Sequence, residues 1–249
     1  MPATPPSTGP HGGSPSIQQP DYWWYRARSE LLRTVLGPFV GTPQRLLDVG
    51  SADGPSVGWL EAPHKVSLDV DRRGLHPPSG VCGSLLALPF ADASFEVVTA
   101  FDVIEHCEPE DTALQELHRV LEPGGRLLVS VPAYQWAWTD HDVANGHHRR
   151  YTRRRAVAAL ESAGFEVRRV TYGFTSVFPM FAAERLLRRL RARLDGEKAP
   201  DGPADVVDVP DVGAATERLL MRLCRVDERL LGSHDLRFGS SLFLAAVRT

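Results

Sequence analysis

Four short apolar runs recur along the chain: RLLDVG (45–50), KVSLDV (65–70), SFEVVTAFD (94–102) and GRLLVSVP (125–132). Each has the length of a strand, and none alternates cleanly between apolar and polar residues. A strand with no wet face must be covered on both sides, and strands covered in that way belong to parallel sheets joined by crossover connections. The pattern predicts an α/β protein with a doubly wound, mostly parallel sheet. Further strands are expected at GVCG (80–83), FEVRRVTYG (165–173) and SSLFLAAVR (240–248). Helices are expected from Asp21, as N-cap of DYWWYRARSELLRTVL, and over 54–62, 109–121 and 152–164. The third of these should stop at Pro123-Gly124-Gly125 and the last at Gly164. Such sheets take their ligands beyond the carboxyl ends of the strands, so chemistry is expected in the loops after Gly50, Asp69, Asp102 and Val131.

Residues 1–20 hold Pro2, Pro5, Pro6, Pro10, Pro15 and Pro20 among Gly, Ser and Thr, and predict a disordered tail ahead of a domain spanning 21–249. Within that domain, residues 179–231 form a helical insertion. PMFAAERLLRRLRARL (179–194) and ATERLLMRLCRVDERLL (215–231) are amphipathic, and the acidic stretch 195–213 between them predicts a mobile loop. The net charge of −3 carries no general signal for nucleic acid. No apolar run approaches the roughly 20 residues of a membrane span. Cys82, Cys107 and Cys224 are scattered and odd in number, which argues against a disulfide framework or a zinc knuckle and suits a reducing cytosol. The N-terminal residues lack the charged-then-apolar order of a secretion signal, so a cytoplasmic location is expected.

The loop after the first run, LLDVGSADGPSV, is not a dinucleotide fingerprint, which wants glycine at the first, third and sixth positions. Gly50 fits the first, but Ala52 and Pro55 occupy the others. Taken in order, LLDVGSADG, the strand-ending Asp69, ALPFADASFEVVTAFDVIEH and ELHRVLEPGGRLLVSVP resemble the successive signatures of class I S-adenosylmethionine-dependent methyltransferases of the type 11 kind, over residues 44–175. The resemblance implies a Rossmann-like sheet of seven strands whose last strand is antiparallel, with the two amphipathic helices inserted before it. FEVRRVTYG and SSLFLAAVR would pair to supply that ending. It also implies S-adenosylmethionine as cofactor and methyl transfer to an oxygen or nitrogen nucleophile of a small-molecule acceptor, or of a lipid-linked one if the basic amphipathic helix at 179–194 rests on a membrane surface.

The same resemblance assigns the cofactor residues. Gly50, Ala52 and Gly54 are the small positions that let the backbone approach the methionine part, with Ser51 between them. Asp48 and Asp53 place negative charge near the sulfonium and ammonium groups, which a pyrophosphate loop would avoid. Asp69 is positioned for the ribose hydroxyls, with Asp71 as competitor. Ser84 stands where an acid usually meets the adenine amino group, and Leu85 offers an apolar contact. Asp102, which ends the third run, SFEVVTAFD, completes the cofactor set.

On the acceptor side, Asp102, Glu105 and His106 lie at i, i+3 and i+4, a spacing that would gather them on one side of a helical turn. WTDHDVANGHHRRYTRR adds His141, Asp142, His147 and His148 from the loop after the neighbouring strand. Glu105, His106 and His147 are the candidate catalytic residues. The layout is similar to that of some metal-assisted O-methyltransferases, in which a carboxylate, an EH pair and a later histidine hold a divalent ion; by that likeness Asp102, Glu105, His106 and His147 or His148 are the candidates. The commoner reading is that the pair shapes the cofactor pocket, and no metal is assigned. The five arginines of RRYTRRR (149–155) predict a solvated face, with capture of a phosphate-bearing acceptor or RNA as the alternative. YWWYRAR (22–28) predicts a lid helix over the cleft, with core packing as the alternative, and residues 174–194 a peripheral membrane contact as a minority reading. Competing identities are a non-catalytic module of the same fold, for which Ala52 and Ser84 are the signs, an RNA methyltransferase, and an NAD-dependent oxidoreductase.

Overall fold

The computed structural model describes residues 21–50, 54–75, 78–195 and 212–249. In chain order the elements are α1 (Trp23–Val40), β1 (Arg45–Val49), β2 (His64–Asp69), β3 (Gly80–Cys82), β4 (Phe95–Phe101), α2 (Glu110–Val120) and β5 (Leu121–Pro132). There follow α3 (Asp140–Ala144), α4 (Arg153–Ser162), β6 (Phe165–Gly173), α5 (Phe178–Asp195), α6 (Ala214–Leu231) and β7 (Ser241–Arg248). The strands form one seven-stranded sheet of order 3-2-1-4-5-7-6. β1, β2, β3, β4 and β5 run parallel, and β7 lies antiparallel between β5 and β6. This is the architecture expected from the sequence, and α5 and α6 are the two amphipathic helices before the last strand.

The apolar runs explain the layering. Leu47, Val49, Val98, Leu127 and Val129 point to one face and join Leu114 and Leu117 of α2 and Leu160 of α4. Leu46, Val97, Phe101, Leu128 and Phe243 point to the other and meet Leu31, Leu32, Val35 and Leu36 of α1 and Leu220, Cys224 and Leu231 of α6. Successive strand residues thus feed opposite cores, the arrangement that removes any polar alternation. All three cysteines are free thiols. Among the described residues, no helix is long and apolar enough to cross a membrane.

Four local expectations are corrected. No α-helix follows β1: the chain makes only a short helical turn at Pro55–Val57, because Gly58 interrupts the segment and Pro63 follows it just before β2. α1 covers that side of the sheet and packs on the turn. The N-cap of α1 is Tyr22 rather than Asp21. Pro123-Gly124-Gly125 does not separate α2 from β5; it sits inside β5 as a bulge, where Phe95 and Val97 of β4 pair with Leu121 and Arg126, and Gly124 takes φ 77°. Asp102, Glu105 and His106 do not share one helical face, as described below. The expected tail at 1–20, nearly all of the expected acidic loop, and Ser51, Ala52 and Asp53 lie outside the described residues.

Candidate active site

The carboxyl ends of β1, β2 and β4 each present an acid. Asp48 of β1 is fully buried and accepts a hydrogen bond from Thr99 Oγ1 of β4, its register partner, at 2.6 Å. Gly50, just past β1, has φ 78°, and a Cβ built there would lie 2.4 Å from Val103 Cγ2. The loops of β1 and β4 therefore touch at a point where only hydrogen fits. Asp69 closes β2, and its Oδ1 accepts the Asp71 N–H at 2.8 Å. Asp71 itself is grasped by Arg73, whose Nε donates to Oδ1 at 2.8 Å and Oδ2 at 2.9 Å; that hydrogen bonding holds the Asp71 carboxyl below the usual carboxylate range. Asp71 is thus committed to a neighbouring side chain.

Ser84 accepts the Leu86 N–H at 3.2 Å. Leu85 is 4% exposed and spends its side chain in the core beside Leu88, so its apolar surface is already covered.

Asp102 stands at φ 57°, an unusual conformation for a residue with a side chain. Its Oδ2 pairs with Arg28 Nη2 at 2.8 Å, and its Oδ1 accepts Ser130 Oγ at 3.0 Å. Arg28 is buried, reaches Ser56 Oγ at 2.7 Å and Ser130 Oγ at 3.0 Å, and lies over the Trp24 ring. α1 packs into the core through Ala27, Leu31, Leu32, Val35 and Leu36, the alternative to a lid, and its Arg28 guanidinium clamps the ends of β4 and β5. Nothing local in the sequence marks Arg28 for this.

Glu105 turns the other way, toward the segment after β5. It is fully buried, and neither carboxylate oxygen has a hydrogen-bond partner. Burial, reinforced by the Asp102 charge, pushes its carboxyl well above the ordinary range. His106 follows on the rim. Desolvation, with help from the His147 charge, lowers its pKa to about 4. The His106 and His147 rings meet edge-on at 4.6 Å. One ligand atom from each of Glu105, His106 and His147 lies within 4.8 Å of the others. The three candidate catalytic residues therefore converge, while Asp102 and His148 stay outside the trio. His148 is exposed, and its backbone N–H bonds the Glu105 carbonyl at 2.8 Å.

The segment that delivers His147 is internally braced. Thr139 and Asp142 form a capping box at the start of α3, with Thr139 N–H donating to Asp142 Oδ2 at 2.9 Å. Asp142 Oδ1 also meets His147 Nδ1 at 2.9 Å and Arg150 Nε at 2.6 Å. Burial alone would raise Asp142, but the hydrogen bonds from His147 and Arg150 and the Arg150 charge hold it far below the usual range. Arg149 donates to the Cys107 carbonyl at 2.7 Å and pairs with Glu108. The solvated-face reading of RRYTRRR fails for these two arginines, which are buried because each answers an acid or carbonyl; Arg153, Arg154 and Arg155 are exposed as expected. The phosphate-capture alternative loses the same two cations. Asp142, His147 and Arg150 do carry a readable signal, an acid followed at i+5 and i+8 by its two partners.

Aromatic side chains line the neighbouring wall. Tyr134 stacks on Tyr172 at 5.4 Å and on Trp136 at 5.8 Å, with Phe178 at 5.6 Å. Arg185 of α5 lies over the Phe181 ring and donates to Thr139 Oγ1.

Comparison with known proteins gives a consistent picture. Residues 47–129 match the family model described as a methyltransferase domain. The chain is 30% identical over 178 residues to a probable S-adenosylmethionine-dependent methyltransferase of Mycolicibacterium smegmatis, covering 67% of this chain and 68% of that protein. It is 31% identical over 183 residues to the malonyl-[acyl-carrier protein] O-methyltransferase of Methylococcus capsulatus, covering 64% of each. Among solved structures, a possible histamine N-methyltransferase from Thermotoga maritima superposes with a TM-score of 0.55 at 14% identity, covering 94% of this chain and 96% of that one. That likeness speaks for the fold.

Proposed function

The chain belongs to the S-adenosylmethionine-dependent methyltransferases, and on that premise we propose that it methylates an oxygen or nitrogen nucleophile of a small-molecule or lipid-linked acceptor, with Glu105, His106 and His147 facing that acceptor. The family membership removes the dehydrogenase reading. The strand ends fit the cofactor: Asp48, Asp69 and Asp102 suit a ligand bearing ribose hydroxyls and positive charge, and Gly50 leaves no room for a side chain where the loops of β1 and β4 meet. In this reading Asp69 takes the ribose hydroxyls, and Asp48, Gly50 and Gly54, with Ser51, Ala52 and Asp53, hold the methionine part. Asp102 joins them from β4, and Ser84 with the backbone beside Leu85 meets the adenine.

When bound, S-adenosylmethionine supplies a methyl group on a cationic sulfur that leaves with its electron pair as the new bond to carbon forms. What remains for the protein is to align the nucleophile and take its proton, and alignment alone is worth effective molarities of about 10⁵–10⁸ M. The observation that carries the acceptor assignment is Glu105, a fully buried carboxyl without a partner, set beside two histidines. Asp142 holds the His147 Nδ1, which fixes the tautomer and turns Nε2 away from that carboxylate, the way an acid orients an imidazole base. A lipid-linked acceptor is favoured by Leu186, Leu187 and Leu190 of α5, each more than half exposed beside Arg188 and Arg189.

Radiolabelled methyl transfer screened over small-molecule and lipid extracts tests the reading. Glu105→Gln and His147→Asn should lower kcat while leaving S-adenosylhomocysteine binding within about twofold. Turnover unchanged in both variants would overturn it.

A further inference from the structure

We propose that α6 is a docking helix for an anionic membrane surface. Two rows run along its outer side. Leu219, Leu223, Val226 and Leu230 stand at i, i+4, i+7 and i+11, the spacing of one helical stripe. Arg218, Arg222, Arg225 and Arg229 repeat that spacing one residue earlier. The apolar row is not spent on the fold: Leu219 is 56% exposed, Val226 44% and Leu230 43%, with Leu223 half-buried between them. All four arginines are exposed, and among the described residues none of them is in an ion pair.

The remaining faces of the helix are occupied. Leu220, Cys224 and Leu231 enter the core against α1. The three acids lie toward α1 and α5. Asp227 is buried and accepts Ser176 Oγ at 2.6 Å, Glu217 pairs with Arg26 of α1 at 3.2 Å, and Glu228 lines the cleft toward α1, with Arg225 at the same rim. The outer side is left apolar and cationic. The Ser176–Asp227 bond also ties the start of α5 to α6. α5 carries a bare row of its own, Met180, Leu186, Leu187 and Leu190, each more than half exposed.

A leucine row beside an arginine row is the pattern of a helix lying in a bilayer interface, with apolar side chains at the acyl boundary and guanidinium groups at the lipid phosphates. No described helix is long and apolar enough to cross a membrane, so the helix lies on the surface rather than through it. Charge selects the occupant. A second copy seated on this face about a twofold axis would set like charge against like charge. A nucleic acid would answer the arginines and leave the leucines wet. An anionic bilayer satisfies both rows. The docking goes beyond the acceptor reading and holds whatever the acceptor is, although it brings the chain to the surface where a lipid-linked one resides.

The full chain, without cofactor or acceptor, is floated with vesicles of equal parts phosphatidylserine and phosphatidylcholine, and with phosphatidylcholine alone. Binding is expected on the anionic vesicles, weakening as salt rises, and only slightly on the neutral ones. Each arginine near an anionic surface contributes about a fivefold gain in partition, so Arg222→Gln with Arg229→Gln should lower it about 25-fold. Leu219→Gln with Leu230→Gln should lower it by at least about tenfold. Both pairs are exposed, so melting temperatures should stay close to wild type. Arg154→Gln, at an exposed arginine of α4, should leave the partition unchanged. No flotation with the anionic vesicles, or flotation unchanged in both double variants, overturns the surface. So does a dimer in sedimentation, or saturable binding of single-stranded RNA, in place of flotation. S-adenosylhomocysteine titration of the same protein reads the methyltransferase assignment separately, so either idea can fail alone.

Discussion

Replacing Arg28 by methionine tests the clamp between α1 and the ends of β4 and β5. The guanidinium makes three contacts that methionine cannot: 2.8 Å to Asp102, 2.7 Å to Ser56 and 3.0 Å to Ser130. Methionine keeps the apolar stem against Trp24, so packing loss is small. Breaking a buried ion pair by removing one partner costs about 3–5 kcal/mol. The Asp102 side chain is 26% exposed, and water can reach it in part, which favours the lower end, about 3 kcal/mol. For a protein of this size each kcal/mol moves Tm by about 2–4 °C, so Arg28→Met should melt about 6–12 °C lower. Scanning calorimetry at low salt reads this directly. Asp102→Asn then supplies a cycle: the double variant should lose less than the sum of the singles, with a coupling of about 0.5–3 kcal/mol. A Tm within about 2 °C of wild type, or additive losses, refutes the clamp.

Asp69→Ala should weaken S-adenosylhomocysteine binding by more than about tenfold, the worth of a hydrogen bond to a charged acceptor, while Asp71→Ala, whose carboxylate is engaged by Arg73, should change it little; calorimetry showing equal losses refutes the choice. Gly50→Ala places a methyl on Val103 at φ 78° and should destabilise by at least about 1–2 kcal/mol from the backbone alone, with Val103→Ala recovering the steric part in denaturant titrations. His141 has its pKa lowered to about 4, chiefly by burial and then by Arg185, so folding favours its neutral form. Its contribution is present above the unfolded value near 6.5 and is lost as pH falls toward 4, at up to about 1.4 kcal/mol per pH unit; His141→Gln should flatten that slope in denaturation midpoints, and an unchanged slope counts against it.

The α/β class, the strand positions and the parallel half of the sheet were legible in the order of residues, because strands buried on both faces must be apolar throughout. LLDVG, SFEVVTAFD and GRLLVSVP each became a strand of that kind. The segment at 54–62 misled because a helix usually follows a strand and loop of this kind, whereas Gly58 interrupts the segment and Pro63 follows it, and only one turn forms. Pro123-Gly124-Gly125 misled because turn residues also build bulges, and only the pairing of β4 with β5 distinguishes the two.

The chain's own order of residues thus determined which side chains stand at the strand ends: Asp48, Gly50, Asp69, Asp102, and the Glu105–His106 pair. These are properties of period and adjacency, and periods are local. Tertiary structure alone decided their partners. Arg28 finds Asp102 from a helix far back in the chain, Asp142 finds His147 and Arg150 only because a short capped helix folds back, and Glu105 is left without any. Pair energies depend on distance and dielectric, which are set by packing, so no local pattern could tell a clamped carboxylate from an open one.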